Sequence, residues 1–173
     1  MLVFGGIDLA ADLVPADRFG IDGFESMAAY YAIIELNTAI KPFVIRRLFE
    51  RHQAREVIYL DPDILVFEPL TEVLEGLRDH SIVLTPHVMH PLQDGKQPCD
   101  HTIMKSGVYN FGFFACRADP DALRLVDWWS DRCRAHCRVD IAGNMFTDQR
   151  WMDMAPVLVE RPLILRHPGY NVA

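Results

Sequence analysis

Apolar positions along the chain follow two periods. "VIYL" (57–60), "SIVLT" (81–85) and "VYNFGFFAC" (108–116) are short apolar runs rich in β-branched and aromatic residues, a pattern that predicts buried strands. Helical stretches separate them. "ESMAAYYAIIELNT" is helical in composition, and "AIKPFVIRRLFERH" alternates Phe43, Leu48 and Phe49 with a basic face of Arg46, Arg47 and Arg51. Pro42 suits the first turn of that second helix, with Asn37 or Thr38 near its start. "TEVLEGLRDH" reads as a short helix capped by Thr71. The clearest helix has Asp119 as N-cap, Pro120 next, and an apolar stripe of Ala122, Leu125, Val126, Trp129, Cys133 and Cys137. A further short helix is expected from Thr147 to Pro156, and "VLV" and "LIL" predict two short closing strands.

Strands that alternate with helices, several of them apolar on both faces, predict one α/β domain over residues 1–173. The expected architecture is a mostly parallel mixed sheet flanked by helices. Residues 1–23 carry Gly6, Gly20 and Gly23 with little periodicity and read as loop or the remnant of a strand. A long loop from Pro86 to about Lys105 holds three of the eleven prolines. Loops of that length in compact domains are mostly functional or disordered.

Composition narrows the function. A formal charge of −7 with no Lys/Arg-rich block gives nucleic acid no electrostatic footprint. No run approaches the length of a membrane span, and the opening "MLVFGGIDLAADL" has no basic start before Asp8, so a cytoplasmic location is expected. Cys133 and Cys137 fall on the helical stripe and are expected as buried thiols rather than disulfide partners.

The segment "VIYLDPDILVF" concentrates the chemistry. Two carboxylates follow a buried strand, and burying them without a cation or donor network is costly. Were the segment extended through "ILVF", Asp61 and Asp63 would point the same way and converge on one ion. Such oxygen ligands suit Mg²⁺ or Mn²⁺, with coordination positions left for a diphosphate. The bland alternative is that Asp-Pro-Asp makes an ordinary turn. By position, the aspartates lie where ligands bind in such sheets, beyond a strand's carboxyl end.

"NTAIKPFVIRRLFERHQAREVIYLDPDILVFEPL" resembles the central segment of the family 8 glycosyltransferases and their bacterial relatives, in which a lysine precedes a hydrophobic strand and a DxD motif. "GVYNFGFFACR" resembles that family's Asn-Ser-Gly strand, "FTDQRWMD" its Asp-Gln motif and "HPGYNVA" its Tyr-Asn segment, in the family's order from Asn37 to Ala173. The resemblance implies a GT-A fold, incomplete at both ends, with residues 1–23 a remnant of the nucleotide-binding half and 24–173 the DxD-containing core. It also implies transfer of a sugar from a nucleotide-diphosphate sugar, such as a UDP-sugar, to a carbohydrate or glycan-precursor acceptor, with retention. Asp61 and Asp63 match the metal ligands for Mn²⁺ or Mg²⁺. Lys41 matches a donor-contacting basic residue. Asn110, Gly112, Asp148 and Gln149 match the lining of the donor sugar, and Asp148 and Gln149 are the catalytic candidates. The pattern departs from the family at Phe111, which stands where the family has serine, and the family's metal-completing histidine has only His167 as a nearby substitute.

Bland roles exist for each of these residues: a solvated Lys41, a helix-start Asp148, a β-bulge at Asn110 and Gly112, and a turn closed by Tyr170 and Asn171. A zinc site from His87, His90, Cys99 and His101 fits no compact spacing, and Trp129 belongs to the core stripe rather than to a sugar platform. Two other functions remain open on sequence alone: a nucleotidyltransferase, or a non-catalytic carbohydrate-binding or scaffold fragment.

Overall fold

The computed structural model describes residues 14–92 and 95–170. The expectations for residues 1–13 and for Asn171 lie outside the described residues. A 3-10 turn at Ala16–Phe19 comes first, followed by helices α1 (Phe24–Tyr30), α2 (Ile33–Ala39) and α3 (Lys41–His52) and strand β1 (Glu56–Leu60). Helix α4 (Thr71–Asp79), strand β2 (Ile82–Leu84), helix α5 (Asp100–Ser106) and strand β3 (Phe113–Arg117) follow. The chain continues through α6 (Pro120–Cys133), β4 (Val139–Asp140), β5 (Met145–Phe146), α7 (Gln149–Met152), α8 (Ala155–Leu158) and β6 (Pro162–Ile164).

A four-stranded sheet in the order β1-β3-β2-β6 organises the chain. β3 pairs antiparallel with both β1 and β2, whereas β2 and β6 pair in parallel. β1, β2 and β6 therefore run the same way and β3 alone is reversed between them. The sheet is mixed, as expected, but two of its three pairings are antiparallel where mostly parallel pairing was expected, and its reversed strand has a consequence for the site. The pair Leu60↔Phe113 closes the β1–β3 ladder, so the segment entering β3 lies beside the segment leaving β1.

Alternation along the strands divides the core between two faces. Val57, Ile82, Leu84, Phe114 and Cys116 pack with α3 and α6 through Phe43, Ile45, Phe49, Leu125 and Trp129. Leu60, Val83, Phe113 and Ala115 pack on the other face with Val73 and Leu77 of α4 and with Tyr170. Helix α6 is stapled at its start as expected: Asp119 Oδ1 accepts from the Asp121 and Ala122 amides at 3.1 and 2.9 Å.

Several expected elements differ. The first helix breaks at Tyr31–Ala32 because Tyr31 turns into the core. There its hydroxyl donates to the Cys133 carbonyl at 2.8 Å and accepts from the Cys137 amide at 3.0 Å. Glu35 then caps α2 by accepting from the Ala32 amide at 2.9 Å. Asn37 and Thr38 end α2 rather than opening α3, although Pro42 does lie in the first turn of α3. Thr71 is the first residue of α4 and makes no side-chain cap, the N-cap being Leu70. "ILVF" is irregular, with Leu65 and Phe67 70% and 84% exposed. "VLV" lies on α8 and its C-cap rather than in a strand. The long loop contains α5, and the β4–β5 hairpin is too short to show a period. Cys116, Cys133 and Cys137 are buried free thiols.

Trp129 sits at the centre of the larger cluster, fully buried and edge-on to Phe111 and Phe114 at 5.6 and 5.4 Å. Trp129→Ala is expected to cost about 3–5 kcal/mol in urea unfolding. Trp129→Phe is expected to cost clearly less, because the indole Nε1 that it removes has no hydrogen-bond partner among the described residues. Equal losses in the two variants would contradict this packing.

Candidate functional site

Every sequence-predicted site residue lies at one end of the sheet, where β1 and β2 leave it and β3 enters. The Asp61 amide donates to the Gly112 carbonyl at 2.7 Å, and the Asn110 amide donates to the Thr85 carbonyl, just past β2, at 2.9 Å. Asn110 Oδ1 accepts from the Gly112 amide at 3.2 Å, which folds Asn110–Gly112 into a tight bend before β3. The start of the expected strand "VYNFGFFAC" and the alternative of a bulge both give way to a turn, placed against the strand that carries the aspartates, and β3 begins only at Phe113.

Asp61, Pro62, Asp63 and Ile64 form a hydrogen-bonded β-turn, with the Ile64 amide donating to the Asp61 carbonyl at 3.0 Å. Proline at the second position presets φ for this turn. The extended geometry expected to align the two carboxylates is thus replaced by the turn. Asp61 stays half-buried at the strand end and Asp63 is exposed at the turn's third position.

Lys41 is the pivot. It opens α3 yet is only 4% exposed, with Nζ 3.3 Å from Asp61 Oδ1, 3.7 Å from Asp148 Oδ2 and donating to the Phe111 carbonyl at 2.9 Å. The Tyr59 ring lies under the ammonium at 4.9 Å, and its hydroxyl donates to the same oxygen of Asp61. Period two along β1 makes this meeting possible, since Val57 and Tyr59 both pack on the α3 side, and Asp61 continues that series. Burial, followed by the Asp61 hydrogen bond and charge, holds the Tyr59 phenol well above its ordinary pKa. It therefore remains a donor.

Asp148 is buried at 1% exposure. Its Oδ1 accepts from the Thr147 hydroxyl at 3.3 Å, while Oδ2 has no hydrogen-bond donor among the described residues. Burial raises the Asp148 pKa, Lys41 lowers it and Asp61 raises it again, with a net upward shift. Thr147 itself is held at φ 48°, a left-handed conformation that a β-branched residue adopts only when its surroundings impose it. Gln149 accepts from the Phe111 amide at 3.2 Å and donates to the Ser106 carbonyl at 2.8 Å. Both ends of its amide are engaged by backbone, so Gln149 ties α5 to the Asn110–Gly112 bend. Gly107 lies so close to Gln149 that a Cβ there would meet its Cγ at 2.8 Å, and its φ of 118° also favours glycine.

Phe111, placed where the resemblance has serine, turns its ring into the core against Phe114 and Trp129 and serves the site only through its backbone. Sequence reading missed Tyr59, the Phe111 carbonyl and Thr147. Of these only Tyr59 left a signal, two residues before Asp61 in a strand. His167 is not beside the carboxylates: its ring packs on Tyr170, whose hydroxyl donates to Glu72. Tyr170 is 7% exposed and stacks edge-on to Phe113 at 6.2 Å, so it closes the second core cluster.

A divalent cation would find Asp61 Oδ2 and the Asp63 carboxylate, neither of which makes a hydrogen bond or ion pair among the described residues. Asp61 Oδ1 is already shared by Lys41 and Tyr59. Hard carboxylate oxygens fit Mg²⁺ or Mn²⁺. No group of three or more His, Cys, Asp or Glu able to hold a metal occurs among the described residues. The pair would therefore leave most positions to water or ligand.

No family model matches the chain, and no solved structure matches it. An uncharacterized protein of Bacillus subtilis (strain 168), YfnF, is 24% identical over 134 residues, which cover 77% of this chain and 44% of the relative. The chain thus spans less than half the length of the curated relative it matches.

Removal of one partner from a buried ion pair leaves the other uncompensated, so Lys41→Met is expected to destabilise the fold by about 3–5 kcal/mol. Adding Asp148→Asn should recover much of that loss, which a double-mutant cycle in urea would measure as coupling. The raised pKa of Asp148 has a definite sign. The folded chain holds its proton over a pH range in which the unfolded chain has released it, so this group costs stability as pH rises from the ordinary carboxylate range through the raised value. Subtracting the Asp148→Asn stability curve from that of the unmodified chain should give a difference that falls with pH over that window; a flat or rising difference contradicts the assignment.

Proposed function

We propose that the chain forms the donor-binding core of a metal-dependent glycosyltransferase of GT-A type, which moves a sugar from a nucleotide-diphosphate sugar to a carbohydrate acceptor. The observation that supports it most is convergence. Four motifs read separately along the chain gather at one end of the sheet: the Lys41 ammonium touches Asp61, Asp148 and the Phe111 carbonyl between Asn110 and Gly112, Gln149 holds the Phe111 amide, and Asp63 follows Asp61 in the same turn. Residues that served only as helix start, turn or bulge would have no reason to share a partner.

Bound Mn²⁺ or Mg²⁺ would supply Lewis-acid neutralisation of the leaving diphosphate. Asp61 and Asp63 would hold it. Lys41 acts through Asp61, fixing one carboxylate oxygen so that the other keeps its aim, which makes it a positioning residue rather than a donor contact. Asn110 and Gly112 present the edge of the bend to the donor sugar. Asp148, buried beside Lys41, would hold the ammonium from beneath the donor site, and Gln149 holds the surrounding backbone in place. With Asp148 buried and paired to Lys41, a front-face course, in which the leaving diphosphate guides the acceptor, fits better than covalent attack by this carboxylate.

Calorimetric titration of UDP with and without Mn²⁺ tests the reading. Binding is expected only with the metal and should weaken by about tenfold or more in Asp61→Asn or Asp63→Asn. UDP binding that ignores the metal, or no UDP binding, would overturn it. In a sugar-transfer assay, Asp148→Asn is expected to slow transfer while donor affinity stays close to that of the unmodified protein; an unchanged turnover number removes Asp148 from the mechanism.

A further inference from the structure

Among the described residues β1 forms one edge of the four-stranded sheet, and its outer side is unpaired main chain. The ladder to β3 extends one residue past each end of β1, through the Ala118 amide on the Arg55 carbonyl at 2.8 Å and the Asp61 amide on the Gly112 carbonyl at 2.7 Å. With Val57↔Cys116 and Tyr59↔Phe114 between them, the odd-numbered residues turn their main-chain groups towards β3. Glu56, Ile58 and Leu60 therefore turn theirs outward. None of these amides and carbonyls makes a hydrogen bond among the described residues.

The two edges of the sheet are unlike. β6 spans only Pro162–Ile164 and opens on a proline, which has no amide to offer. β1 is five residues long without proline or glycine, and its Ile58 and Tyr59 side chains are only partly covered by the two core clusters. Edges of this kind recruit another strand.

The strand is complementary to itself. Two copies laid antiparallel about Ile58 set Glu56 opposite Leu60 of the second copy and Ile58 opposite its own counterpart, which engages every outward group of Glu56, Ile58 and Leu60. The neighbouring registers pair only two of those residues on each strand. In the full register Arg55 stands opposite Asp61 of the second copy, both on the α3 side of the sheet, at the separation where cross-strand charges attract. Arg55 is exposed and makes no ion pair among the described residues, and Asp61 Oδ2 likewise has no partner there.

We propose that two copies of this chain join edge to edge through β1, continuing the sheet across a two-fold axis at Ile58. The inference does not rest on the transferase reading. A divalent ion at Asp61 would compete with Arg55, so the test is made with a chelator present, which keeps the two readings apart.

Sedimentation equilibrium over about 1–100 µM should show a mass that rises with concentration from 19.8 kDa towards twice that value. Hydrogen exchange in the same samples should slow at the Glu56, Ile58 and Leu60 amides as the dimer fills, while the Val57 and Tyr59 amides, already turned to β3, change little. Arg55→Glu sets carboxylates opposite each other, and Glu56→Pro removes an outward amide without breaking a bond to β3; each should weaken the dimer by about tenfold or more. Both positions are exposed, so each variant is expected to fold, which its urea unfolding checks. A monomer at every concentration, a dimer whose formation leaves those three amides exchanging as before, or a dimer that either substitution leaves intact would each overturn the assignment.

Discussion

A buried ammonium is the constraint around which this end of the molecule is arranged. Lys41 has given up its water at the start of α3, where the helix dipole also disfavours a positive charge. Its compensation comes from three distant parts of the chain: the turn after β1, the bend before β3 and the residue before α7. Each must be in place for the charge to be tolerated, so the lysine couples their positions. The Tyr59 ring beneath it adds a quadrupole and a hydroxyl that lock the shared Asp61 oxygen.

Topology puts those parts within reach. Because β3 runs against β1, its entry is beside the exit of β1, and Asn110–Gly112 meet Asp61 through a main-chain hydrogen bond. A parallel β3 would deliver that bend to the other end of the sheet. Gln149 completes the assembly by bridging the bend to the end of α5. The strained φ of Thr147 shows that the residues leading into α7 are held by their surroundings rather than by their own preference.

The two ends of the sheet differ in electrostatic design. At the exit of β1, negative carboxylates outnumber the one lysine, and a cation is the natural complement. At the start of β1, Arg55, Arg78 and Arg117 stand beside Glu56 and Asp119, so the charges there are closer to balance.

How much of this was legible in the sequence depended on whether the signal was local. The apolar runs at 57–60 and 82–84 predicted their strands because burial on both faces leaves a continuous apolar mark. Asp119 and Pro120 predicted the start of α6 because capping is settled within three residues. The residues that gather at Lys41 could also be singled out beforehand, since Lys41, Asp61, Asp148 and Gln149 carry the polar and charged groups of the motifs that the sequence analysis named. What the fold alone decided were the long-range partnerships: the break at Tyr31 made by a hydroxyl that reaches Cys133, the reversal of β3, the turn at Asp61–Ile64 where extension was expected, and the burial of Lys41 between two carboxylates. Apart from the turn, which Pro62 favours locally, none of these follows from neighbouring residues, because each is stabilised by a group about twenty to more than a hundred positions away. Chemistry was written into residue types; which charge would face which, and at what depth, was settled by packing.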